Sequence, residues 1–312
     1  MIWFLVVGLI LGTLVLFVSR FCYKMAFFSL NNKEQDIYVI PPGKQYEAVA
    51  DNILQTIKEV EALSYELVSI KSKDGLTLIG RYYHFKDGAP LQILFHGYRG
   101  CGMREFAGNN HLAAELGFNA LVVDERAHGK SGGHTITFGI KERYDCQSWA
   151  KYAAQRFGSD TPIFLSGVSM GAASVLMASS LNLPDNVKGI TADCPFSSPG
   201  AIIRKVCTDI KLPKWLMYPF VVIGALLFGH FKIWESSAEE AVKHTRIPIL
   251  LIHGEDDRFV PCDMSRQIYA NCRGAAELVI IPNAGHGISY FVDRTTYHSV
   301  FSDFLHQCHI LE

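Results

Sequence analysis

Residues 2–18 carry no charge, and all but a few positions are Ile, Leu, Val, Phe or Trp. With Phe21 and Cys22 the run approaches the roughly 20 residues that a helical membrane span needs. A cleaved leader would want a positively charged start and a small-residue cleavage site, and neither is present. A buried or peripheral helix is the third reading. Arg20, Lys24 and Lys33 follow the run, while no Lys or Arg precedes it. Positive residues tend to stay on the cytoplasmic side. The expectation is an uncleaved anchor over residues 1–28, with the N-terminus outside and the bulk of the chain in the cytoplasm.

The pattern then changes. Residues 31–43 are polar and end in Pro41-Pro42-Gly43, which reads as a linker. Over 46–63, Val49, Ile53, Ile57 and Val60 recur every three to four residues, predicting an amphipathic helix. Two segments, 66–71 and 76–83, alternate apolar and polar positions around Asp74-Gly75, a hairpin signal. Six further strands are expected at 92–96, 120–124, 163–167, 189–193, 248–253 and 277–281. These are short, nearly continuous apolar runs separated by helical segments. That pattern predicts an α/β fold: a mostly parallel eight-stranded sheet covered by helices on both faces. Between 200 and 244 the alternation pauses. This insertion holds the apolar stretch 215–231, which reads as a helical lid. Its internal Pro219 and two glycines make it a poor membrane span. The division is an anchor (1–28), a linker and helix (29–64), a core (65–199 and 245–312) and the insertion (200–244).

Charge narrows the function. With 29 Lys+Arg against 30 Asp+Glu and no basic stripe, nothing marks a nucleic-acid partner. Eight scattered cysteines form no CxxC and no Cys/His group at zinc spacing, so neither a metal nor a cofactor is called for. They are expected to be free thiols in a reducing compartment.

Three segments carry candidate chemistry. Gly167-Val168-Ser169-Met170-Gly171 is a G-x-S-x-G between an apolar strand and a helix-like run. A serine there sits in a strained turn that projects its hydroxyl, and flanking glycines remove Cβ collisions. A hydroxyl needs a base to become nucleophilic, and the base needs an acceptor to fix its tautomer. Asp257, in the loop after the seventh strand, is the expected acceptor, with adjacent Asp256 as the alternative. His286, between Gly285 and Gly287 after the last strand, is the expected base. The order Ser, Asp, His is that of the α/β hydrolases.

Together these residues resemble the α/β-hydrolase superfamily over about residues 65–305. The stretch Asp124-Glu125-Arg126-Ala127-His128-Gly129-Lys130-Ser131-Gly132 is similar to a D-x-R-x-H-G-x-S-x-G segment that is structural in that superfamily. Within it the chain looks like bacterial single-span hydrolases of the prolyl-oligopeptidase-like or serine-aminopeptidase-like branch. No propeller domain and no acidic pair for a peptide amino terminus are visible. Serine at position 169, where the dehalogenase branch carries aspartate, argues against that branch. The resemblance implies an oxyanion hole made by backbone N–H groups of Tyr98, in His96-Gly97-Tyr98-Arg99-Gly100, and of Met170. The expected activity is acyl transfer to water from a carboxylic ester, with a small-molecule acyl substrate that the apolar lid and anchor suggest is lipid-like. A peptidase or amidase, an acyl-thioesterase and a non-catalytic binding protein remain as alternatives.

Overall fold

The computed structural model describes residues 2–30 and 37–311; part of the predicted linker, 31–36, lies outside the described residues. Eight strands form one sheet: β1 (Glu66–Lys71), β2 (Thr77–Tyr83), β3 (Leu91–Phe95), β4 (Asn119–Asp124), β5 (Ile163–Val168), β6 (Val187–Asp193), β7 (Ile249–Gly254) and β8 (Ala276–Ile281). Their spatial order is β1-β2-β4-β3-β5-β6-β7-β8. β2 runs antiparallel to β1 and to β4, and the remaining pairs are parallel. All eight predicted strands are present, each within a few residues of its predicted ends.

The helices are α1 (Ile2–Ala26), α2 (Lys44–Glu47), α3 (Ala50–Glu61), α4 (Gly102–Leu116), α5 (Glu142–Phe157), α6 (Met170–Ala178), α7 (Pro199–Asp209), α8 (Lys214–Gly224), α9 (Ala238–Ala241), α10 (Asp263–Asn271), α11 (Ser289–Val292) and α12 (Arg294–Gln307). Parallel strands need crossovers, and the crossover helices cover both sheet faces. Leu94, Phe164 and Leu250 meet Ile57, Phe106 and Phe301 from α3, α4 and α12 on one face. Their sequence neighbours Ile93, Leu165 and Leu251 meet Trp149, Val175 and Ile268 from α5, α6 and α10 on the other. This two-sided burial is why the central strands read as nearly continuous apolar runs.

Two of the differences from the predicted boundaries have a local cause. The second strand starts at Thr77, because Leu76 closes the turn: its N–H donates to Ser72 Oγ and its carbonyl accepts from Ser72 N. The predicted helix over 46–63 is split into α2 and α3, since Val49 leaves helical geometry (φ −118°, ψ 3°) to seat its side chain in the core.

The insertion folds as α7, α8, a π-helical turn (Ala225–Gly229) and α9. It packs against the end of α1 in a third apolar cluster. Cys22, Tyr23 and Phe27 meet Ile202, Val221 and Phe231 there, together with Met170 and Met177 of α6. Phe27 is fully buried, edge-on to Phe138 and Phe231 at 5.7 and 5.1 Å. The first part of α1 is different: residues 2–17 are exposed except Val15, which is half-buried. By length and composition α1 can cross a membrane.

Candidate active site

The loops after β3, β5, β7 and β8 gather at the carboxyl edge of the parallel strands, where α/β sheets place their ligands. Ser169 sits between β5 and α6 with φ 54° and ψ −110°, outside the allowed basins for an L-residue. The turn survives because its flanks lack side chains. A Cβ on Gly167 would come within 2.3 Å of Gly171 C, and one on Gly171 within 2.1 Å of Phe95 O. The Ser169 N–H donates to Asp193 O at 2.8 Å and ties the turn to β6.

His286 Nε2 lies 3.0 Å from Ser169 Oγ, and His286 Nδ1 lies 2.6 Å from Asp257 Oδ2. The carboxylate only accepts, so Nδ1 carries the proton and Nε2 turns a lone pair toward the hydroxyl. Asp257 is buried, and its Oδ1 accepts from Phe259 N and Val260 N at 2.9 and 2.8 Å. Burial alone would raise its pKa, but hydrogen bonds from His253 and His286 hold the carboxyl well below the usual carboxylate range. Asp256, the alternative acid, is exposed in the turn. His253 packs beneath the acid loop, with Nε2 2.8 Å from Val260 O and 3.2 Å from Asp257 Oδ2.

In the loop after β3 the amides on either side of Tyr98 are taken. Gly97 N donates to Glu105 Oε2 at 2.6 Å, Arg99 N to His128 Nε2 at 3.0 Å, and Gly100 N to Gly97 O at 2.9 Å. Among the described residues, Tyr98 N–H has no protein acceptor. Met170 is the first residue of α6, where the helix supplies no partner for an N–H and the dipole favours negative charge. The Tyr98 side chain lies against Phe138 at 5.0 Å and donates to Ala26 O at 3.0 Å.

Sequence reasoning missed three supports. Glu105 braces the loop, and burial pushes its carboxyl up to about 7. His96 accepts from Glu125 N, and it meets His128 edge-on at 4.7 Å. Tyr46 donates to His286 O at 3.0 Å; burial pushes its phenol up to about 12. His128 and Ser131 are structural: Ser131 Oγ donates to Asp124 O and accepts from Ile79 N.

Two cavities meet at the serine, sharing Tyr98, Ser169 and Phe259. One, of about 220 Å³, is mixed in character and includes Arg104, Glu105 and His286. The other, of about 450 Å³, is walled by apolar side chains of α1, α7 and α8. Cys194 Sγ and the ligand atoms of Asp257 and His286 lie within 4.8 Å of one another, a spacing that could hold a metal ion. Burial pushes the Cys194 thiol well up, so it stays protonated, and a thiol is a poor ligand beside a thiolate. Asp257 and His286 are moreover already bonded to each other.

A family model described as alpha/beta hydrolase fold matches residues 90–221, and one described as serine hydrolase (FSH1) matches residues 182–289. Their combined reach holds Tyr98, Ser169, Met170, Asp257 and His286. The two models and the eight-stranded fold support membership of the α/β-hydrolase superfamily. Among similar proteins is YqkD of Bacillus subtilis, an uncharacterised protein 30% identical over 196 residues, 62% of this chain and 64% of that one. The chain thus spans under two thirds of that relative's length. Protein bem46 of Schizosaccharomyces pombe is 24% identical over 250 residues, covering 78% of this chain and 77% of bem46. The esterase Pf2001 of Pyrococcus furiosus shares the fold at a TM-score of 0.63 and 23% identity, covering 90% of this chain and 98% of that one. The two family models support a hydrolase.

Proposed function

We propose that this α/β hydrolase is a membrane-anchored esterase that cleaves carboxylic esters through an acyl-enzyme. Ser169 is the nucleophile, His286 the general base and then acid, and Asp257 the group that orients and steadies the imidazolium. The observation that carries the reading is the unbroken chain from Ser169 Oγ through His286 to Asp257, at 3.0 and 2.6 Å. His286 Nε2 takes the hydroxyl proton as Oγ attacks the ester carbonyl. The proton then goes to the departing alcohol oxygen, and water repeats the cycle to release the acid. Asp257 stays ionised throughout, as its lowered pKa requires. Backbone N–H groups of Tyr98 and Met170 receive the oxyanion, and each such donor is typically worth about 2.7–4 kcal/mol in the transition state.

Esters fit the site better than peptides do. The larger cavity is mostly apolar, and Glu105, the carboxyl beside the serine, already accepts from Gly97 N. α1 holds the enzyme in the membrane, and the positive flank of Arg20, Lys24 and Lys33 orients the catalytic part toward the cytoplasm. Labelling by a fluorophosphonate, compared with Ser169→Ala, tests the reading together with turnover of nitrophenyl butanoate. Labelling and turnover that both vanish in Ser169→Ala support it. A folded wild type that neither labels nor turns over the ester overturns it.

A further inference from the structure

The last turns of the membrane helix reach the serine. Phe21, Cys22, Met25 and Ala26 of α1 line the same apolar cavity as Ser169, opposite Ile203 and Val206 of α7 and Val221 of α8. The contact between α1 and α8 is close: a Cβ on Gly224 would come within 2.6 Å of Ser19 O. Nothing polar is offered along the cavity walls beyond the serine and the Tyr98 hydroxyl, which is spent on Ala26 O. At about 450 Å³ the cavity lies within the roughly 300–1,000 Å³ range of ligand sites.

Its rim faces outward beside the span. Phe21, Met25, Ile210 and Leu212 line the cavity and are also 58, 59, 60 and 40% exposed. Trp215, three positions after Leu212, is 77% exposed. From Ile2 to Val18 the helix rises only about 25 Å, short of the roughly 30 Å of a hydrocarbon core. To complete the span, α1 must sink by about one further turn. That turn holds Phe21 and Cys22 beside Arg20, whose long side chain can reach the headgroups, so the rim sits at the edge of the hydrocarbon layer.

We infer that α1 is one wall of the acyl site, and that the cavity takes a long unbranched acyl chain from a membrane-resident ester. The inference rests on the esterase reading of Ser169. The anchor is then a specificity element as well as a tether. Each methylene moved into such a cavity favours binding about fourfold, so wild-type kcat/KM rises with chain length.

The test uses the full chain in detergent micelles, with nitrophenyl butanoate and nitrophenyl hexadecanoate as probes. The readout is the ratio of their kcat/KM values, which is independent of the active fraction. Met25→Trp fills the cavity from α1 at an exposed rim position, and Val206→Trp fills it from the facing helix. Leu9→Trp, on the exposed part of α1, is the control. The expected result is a ratio lowered at least tenfold by both filling variants and unmoved by Leu9→Trp. A ratio unmoved by Met25→Trp overturns the role of α1, whatever Val206→Trp does. A wild type that is labelled by fluorophosphonate and cleaves only the butanoate overturns the acyl site while leaving the esterase standing. A wild type that is never labelled removes the esterase itself, and this inference with it.

Discussion

The Tyr46 hydroxyl donates to the carbonyl oxygen of His286 at 3.0 Å, across 240 positions of sequence. Tyr46 is buried on α2, and His286 follows β8, so the bond ties the segment before the sheet to the loop that carries the candidate base. Tyr46→Phe keeps the ring and removes the bond. One such hydrogen bond is worth about 1 kcal/mol. The variant is expected to lose roughly fivefold in kcat on nitrophenyl butanoate with little change in KM. An unchanged kcat would mean that the loop holds His286 without it.

Asp257→Asn should cost far more than stability alone explains. The amide presents a donor to His286 and favours the wrong tautomer, a change that lowers kcat about 10⁴-fold in a related triad. Steady-state kcat, measured beside a melting curve, separates this from unfolding. Near wild-type turnover would point to Asp256 or another acceptor.

Two carboxyls give stability opposite pH slopes. Asp257 is held below its unfolded pKa, so it contributes stability above about pH 4, and that contribution fades as pH falls toward the folded value. Glu105 is raised to about 7, so its contribution is present below about pH 4.5 and is lost as pH rises toward 7. Thermal midpoints of wild type and Glu105→Gln at pH 5 and pH 8 read the second slope. The wild type should lose more between the two than the variant does. Equal losses would show that Glu105 does not titrate in that window.

Gly171→Ala places a methyl 2.1 Å from Phe95 O, a backbone atom that cannot step aside. The turn at Ser169 must deform, and the expected outcome is a destabilisation above about 3 kcal/mol with fluorophosphonate labelling lost. A folded, labelled variant would contradict the packing described.

Phe27→Ala empties a fully buried aromatic site between Phe138 and Phe231. Such truncations cost about 3–5 kcal/mol. Chemical denaturation in detergent should reveal a loss of that size in the hydrolase core, not only at α1. A loss under about 1 kcal/mol would mean that α1 docks loosely.

The sheet was readable because its central strands are buried on both faces, and a run such as Leu91–Phe95 then needs no alternation to betray it. Ser169, Asp257 and His286 stood out because each follows a strand and two of the three lie among glycines that the turns require. What stayed hidden depends on pairs far apart in sequence. Tyr46 looks like one apolar position of a helix, and only the folded chain brings it to His286. The break at Val49 has the same origin, since core packing overrides a helical pattern that continues through it. Glu105 reads as a surface residue of α4, because its partner is a backbone amide, which leaves no mark in the sequence. For α1, the apolar character continues past Lys24 to Phe27 and Phe28, a signal that the helix end is covered by something other than lipid.

Phe27 and Tyr23 share one apolar cluster with Met170, the residue next to Ser169. A protease cutting between the span and the sheet would therefore not release a working soluble enzyme. It would leave Phe138, Phe231 and Met177 facing an empty socket, and the helix behind Ser169 would lose its backing. On the anchor proposed for α1, the core could not be shed from a bilayer with its interior intact.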